Sequence, residues 1–157
     1  APSRPLLVGL FRRPDLRRLN RLASCLRGEL DCEAFAAAKD PSSSRFRYLH
    51  HAAFYAEGDA IVFDIAANAF LWRMVRSIVG TLIELDASGA PETAMRDILE
   101  SRERGRAGVT APARGLFLWN VEYYDPPTKV RDVSEGDDVS DGDVRYKGDD
   151  VSEGDDE

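Results

Sequence analysis

The run NAFLWRMVRSIVGTLIELD, from Asn68 to Asp86, decides how the rest of this 157-residue chain is read. Its apolar residues recur at three- and four-residue spacing, which predicts a helix from about Phe70 to Leu85. Placed at about 100° per residue, Leu71, Trp72, Met74, Val75, Ile78, Val79, Leu82, Ile83 and Leu85 cover one broad face. Arg73, Ser77, Gly80 and Glu84 centre the opposite face, and Arg76 falls on the seam beside Trp72 and Ile83. A half-buried guanidinium without a partner is costly, so the pattern asks what negative group Arg76 meets. Arg73, central on the polar face, suits either a phosphate contact or plain solvent exposure. No apolar run reaches the ~18 residues of a membrane span, and the best candidate carries Arg73, Arg76 and Glu84; no membrane partner is expected.

Upstream of this helix the period changes to two. From Arg45, Phe46, Tyr48, Ala52 and Phe54 share one parity, and Leu49, Ala53 and Tyr55 the other. Glu57-Gly58-Asp59 is a hairpin signal, and the return strand AIVFDIAAN puts Ile61, Phe63 and Ile65 on one face. Further upstream, Leu16, Leu19, Leu22, Ala23 and Leu26 keep helical spacing after Pro14-Asp15, with Gly28 as a stop. A short helical piece around Ala34 to Ala38 and the breaker DPSSS follow. Downstream, Pro91 opens a helix through Ala94, Met95, Ile98 and Leu99. A loop carrying Arg102, Arg104, Arg106 and Arg114 then leads to LFLWNVEYY, whose alternation predicts a last strand. Three strands with at least three helices give an α+β class, an antiparallel sheet with helices packed on one face.

Composition divides the chain. Residues 125–157 hold 13 acids against 4 bases and repeat the unit DVSEGDD, whereas residues 1–124 hold 17 bases against 15 acids. The tail is poor in core-forming side chains and cannot offset its ordering entropy, so residues 125–157 are expected to be a disordered acidic tail. Residues 1–13 form an uninformative lead segment, and 14–124 the folded domain. All but one of the bases in residues 1–124 are arginine, which favours planar contacts with phosphate or carboxylate; genome composition explains the same bias. Cys25 and Cys32 have no zinc spacing and read as reduced, packing thiols in a cytoplasmic protein.

Few residues are left to carry chemistry. No Gly-rich phosphate loop follows a strand, and neither GxSxG nor HExxH occurs. His50 and His51 are adjacent on a strand and point to opposite faces, so they do not share a metal; neither a metal nor a cofactor is called for. Asp64 is either an acid or a solvent-facing strand residue. Arginines among strand aromatics are the vocabulary of RNA contact, with charge for phosphate and flat faces for unstacked bases.

VFDIAANAFLWRMVRSIVG together with AGVTAPARGLFLWNVEYY resembles the C-terminal half of the TruA-type tRNA pseudouridine synthases. LNRLASCLRGELDCEAF and Arg45, the arginine opening the first strand, fit the same pattern, and the resemblance runs from about Leu16 to Tyr124. It implies isomerisation of uridine to pseudouridine in the anticodon stem-loop of tRNA, on half of a pseudouridine-synthase-type fold. The family's catalytic aspartate lies in an R-T-D-x-G-x-H type segment of the N-terminal half, which is not found here. The resemblance therefore implies a half that completes one continuous sheet with the N-terminal half of the same enzyme, in a homodimer, and that is inactive alone. It further implies that Arg76 pairs with the aspartate and that Gly115 and Leu116 line the uracil pocket, although both also suit a strand start with a core Leu. Arg104, Arg106 and Arg114 would lie nearby as phosphate contacts, with Arg73 and Arg45 as further RNA-binding candidates. Two other readings stay open: a non-catalytic RNA-binding half, and an interaction protein working through its acidic repeats.

Overall fold

Asp15 caps the first helix with its own carboxylate, which accepts the amides of Arg17 (3.0 Å) and Arg18 (3.2 Å). The structure, a computed structural model, describes residues 13–123; the expectations for the lead segment and for the acidic tail lie outside them. The order is α1 (Leu16–Ala23), β1 (Gly28–Asp31), a 3₁₀ turn (Glu33–Phe35), β2 (Phe46–Glu57), β3 (Ala60–Ala67), α2 (Met74–Ser88) and α3 (Ala94–Ser101). Two more 3₁₀ turns, Arg104–Arg106 and Ala113–Gly115, follow. Residues 13–119 are the described part of one compact unit; Asn120–Tyr123, the described part of a second, carry no helix or strand.

The sheet is antiparallel in the order β1-β2-β3, so the α+β class stands. Its third strand, however, is GELD rather than LFLWNVEYY. Residues 28–31 pair with β2 from Gly28↔Leu49 to Asp31↔Phe46, whereas residues 116–123 join no ladder. Alternation alone does not make a strand; an open edge in reach does. The hairpin forms as expected, with Gly58 at φ +58 in a two-residue turn closed by Glu57↔Ala60.

Strict parity fails in β2. Leu49 pairs with Ala67 but His51 pairs with Ala66, so His50 is an extra, bulged residue. The bulge switches the inward set. Leu49 is buried before it and Phe54 after it, while Phe46 and Tyr48 stay exposed. Phe54 meets Phe63 at a centroid distance of 4.5 Å. The core joins them to Leu19, Leu22, Leu26, Phe35, Met74, Ile78, Leu82 and Met95, which places the helices on one face. On β2 beyond the reach of β1, Asn20 of α1 donates to the Phe54 carbonyl (2.9 Å) and accepts its amide (2.8 Å), satisfying edge groups that would otherwise be orphaned. Cys32 is buried within this core, and burial pushes its thiol up to about 11.

α2 starts four residues later than its periodicity predicts. Arg73 sits at φ 60, ψ 5, in the left-handed region, and Met74 opens the helix. That corner breaks the helical phase, so Trp72 does not join the apolar face; it is 58% exposed. The face expected to be polar is covered in part: Ser77 and its neighbour Thr81 are buried, while Arg73 and Glu84 stay exposed. The loop at 107–111 lies across it. Gly108 N–H donates to Thr81 Oγ1 (2.9 Å), Val109 N–H to Glu84 Oε2 (3.1 Å) and Ala111 N–H to the Arg76 carbonyl (3.0 Å). A Cβ on Gly80 would overlap the Val109 carbonyl, so the close approach depends on glycine there.

Candidate functional site

Arg76 lies in the first turn of α2, half-buried, as its seam position predicts. Its Nε donates to the Ala111 carbonyl at 2.7 Å. With the return bond from Ala111 N–H, Arg76 grips one residue of the loop through both its N–H and its carbonyl. Among the described residues its guanidinium makes no ion pair. The partner that the sequence asks for is thus met in part by a backbone carbonyl, and the terminal nitrogens remain available to a planar acceptor.

The same loop brings other candidates alongside. Arg104 donates to Thr110 Oγ1 (2.9 Å), next to Ala111. Arg106 is exposed in the 3₁₀ turn Arg104–Arg106, and Arg114 in the turn Ala113–Gly115. Their side chains meet no acceptor among the described residues. Gly115 closes the second of these turns, and Leu116 follows it at 49% exposure. Leu116 is therefore not packed in the core.

Arg73 is exposed at the corner before α2. Arg45 is placed differently from an open RNA contact. Its Nε binds Glu33 Oε2 (2.9 Å) and its Nη1 binds Asp40 Oδ1 (2.8 Å), so its fork is engaged within the fold. His51 Nε2 lies 3.0 Å from Asp64 Oδ2 on the exposed side of the hairpin, and Tyr48 stacks edge-on to His50 at 5.2 Å. Both histidines are solvent-facing.

Sequence reasoning overlooked the residues that hold the arginines in place: Asp40, Thr81, Gly80 and Glu84. Only Asp40 left a local signal. Asp-Pro-Ser is an Asx-turn sequence, and Asp40 Oδ1 accepts the Ser42 amide at 2.8 Å. The other three are recognisable only once a loop thirty residues away is seen to lie on them.

A family profile described as tRNA pseudouridine synthase matches residues 22–124, about two thirds of the chain and all the elements just described except α1's first turns. The chain belongs to the tRNA pseudouridine synthase family. Among curated relatives, the tRNA pseudouridine synthase A of Treponema denticola is 55% identical over 123 residues, covering 78% of this chain and 46% of the relative. That of Borreliella afzelii is 40% identical over 109 residues (69% of this chain, 44% of the relative). That of Klebsiella pneumoniae is 41% identical over 121 residues (74% and 45%). The chain thus spans about half the length of the curated relatives it matches. The matched residues take in α2, the hairpin and the 104–116 loop.

Proposed function

We propose that this chain is the C-terminal half of a tRNA pseudouridine synthase that isomerises uridine to pseudouridine in the anticodon stem-loop of tRNA. Arg76 orients an aspartate nucleophile supplied by the N-terminal half. The observation that carries this reading is the half-used Arg76 guanidinium: Nε is bound to Ala111, and no carboxylate of the described residues pairs with it. A guanidinium–carboxylate pair keeps an acid ionised and aims it, which a carboxylate nucleophile requires. Anchoring Nε to a carbonyl fixes the plane of the fork before the acid arrives, so little side-chain freedom is lost when it does.

A few residues beyond the Ala111 contact, Gly115 in its turn and the exposed Leu116 would supply an apolar surface for a flat base. Arg73, Arg104, Arg106 and Arg114 are exposed cations suited to phosphodiester contacts. The N-terminal half of the same enzyme and tRNA are the partners this reading calls for, with a homodimer as the assembly.

The test is pseudouridine formation on an anticodon stem-loop RNA, followed with a pseudouridine-specific chemical label. The native gene product together with any aspartate-bearing half is expected to convert the RNA, and the 157-residue chain alone is not. Conversion by the isolated chain refutes the half-enzyme assignment. Absence of conversion by the native gene product refutes the activity.

A further inference from the structure

The Asp40 side chain is fully buried, yet Asp40 lies in no helix or strand. Its two oxygens serve three donors. Oδ2 accepts the Trp72 amide, while Oδ1 accepts the Ser42 amide (2.8 Å) and Arg45 Nη1 (2.8 Å). From the same loop, the Ala37 amide donates to the Trp72 carbonyl at 3.0 Å. The backbone of Trp72 is therefore held on both sides, although its indole points largely into solvent. What the loop secures is the path of the chain rather than a side chain.

That path needs securing. The next residue, Arg73, occupies a left-handed conformation that L side chains other than Asn and Asp seldom adopt. Such strain persists only where neighbours over-determine it. The Arg73 carbonyl then accepts the Ser77 amide at 2.9 Å, so the corner launches α2, and Arg76 follows within its first turn. Arg45, bonded to both Asp40 and Glu33, steadies the clamp from behind.

The geometry points to Asp40 as a positioning residue: by gripping the Trp72 peptide it keeps Arg73 left-handed, and so fixes Arg73 and Arg76 where the reaction uses them. The second half of that statement rests on the function proposed above; the first does not. Asp40→Asn replaces one acceptor oxygen with a donor, so either the Trp72 amide or the Ser42–Arg45 pair loses its partner.

In the native gene product, Asp40→Asn is expected to slow single-turnover pseudouridine formation by about tenfold to a hundredfold. Leu99→Ala, a core change in α3, serves as control; temperature is set so that both variants are equally far below their melting points. It is expected to stay within about twofold of wild type. A wild-type rate in Asp40→Asn overturns the positioning role. If wild type itself shows no turnover, the proposed function falls, and amide exchange in this chain decides the clamp. The Trp72 and Ser77 amides are expected to exchange at least about tenfold faster in Asp40→Asn, with Leu82 unchanged. In an Arg73→Gly background the same substitution should have a smaller effect on Ser77, because glycine adopts the corner unaided. Unchanged protection at Trp72 and Ser77 overturns the clamp. Where Asp40→Asn does not fold, Arg45→Gln loosens the same carboxylate; it is expected to show the defect in weaker form, and wild-type exchange at both amides overturns the inference.

Discussion

Arg76 Nε holds the Ala111 carbonyl, and the proposed function gives the remaining guanidinium nitrogens the task of holding an acid. Lysine keeps the charge but loses the fork. Arg76→Lys in the native gene product is therefore expected to lower the single-turnover rate by about a hundredfold while RNA affinity changes little. Equal rates would return Arg76 to a purely structural role as the anchor of the loop. Arg73→Lys and Arg106→Lys leave a cation in place, so the rate should persist, and only affinity and its salt slope should shift slightly. Asp40 makes a prediction in pH. The Trp72 amide above all, with Ser42 and Arg45, lowers its carboxyl from 3.8 to about 2, against the opposing effect of burial. A folded-state value below the unfolded one adds stability that is complete above about pH 4 and is lost as pH falls toward 2. Denaturant melts across that window should fall more steeply for wild type than for Asp40→Asn; parallel slopes would contradict the lowered carboxyl.

α2 has one face packed in the core and another partly covered by the 107–111 loop. Met74, Ile78 and Leu82 enter the core, while Gly80, Thr81 and Glu84 receive the loop. Gly80→Ala puts a methyl group into the Val109 carbonyl, which must move. A cost of about 1–3 kcal/mol in a urea melt is expected, together with loss of the Ala111–Arg76 bonds; unchanged stability would mean that the loop yields freely. Asn20 plays the matching part between α1 and β2 through its paired bonds to Phe54. Asn20→Ala leaves both backbone groups without that partner and should cost about 1–3 kcal/mol, again read from the melt. The bulge at His50 belongs to the same scale, because it turns Phe54 into the core and leaves the Phe46–Tyr48 stretch exposed.

Among the described residues the sheet has three strands, and an exposed apolar segment follows the loop. Leu118 and Trp119 lie open, the latter 93% exposed, after Phe117, which is also exposed. Contiguous apolar surface of this kind marks an interaction site or an association hazard. The isolated chain is expected to sediment as species larger than a monomer at high concentration, and a Leu118→Ser, Trp119→Ser double variant to shift toward monomer. A single monomeric boundary for the parent chain would refute this.

Local chemistry made α1, α3, the body of α2 and the β2–β3 hairpin legible in the sequence, because helical spacing, a capping aspartate and a turn glycine act within one or two turns of chain. The seam position of Arg76 was legible for the same reason. Other features depended on what distant segments offer. GELD becomes a strand because the edge of β2 lies beside it, whereas residues 116–123 alternate just as well and join no ladder. The left-handed Arg73 has no local cause: arginine does not favour that conformation, and the Asp40 loop, some thirty residues earlier, imposes it. Hydrogen bonds between distant backbone segments carry no periodic signature in side chains, so the sequence by itself determined the seam position of Arg76, and the tertiary structure alone decided how that residue is held.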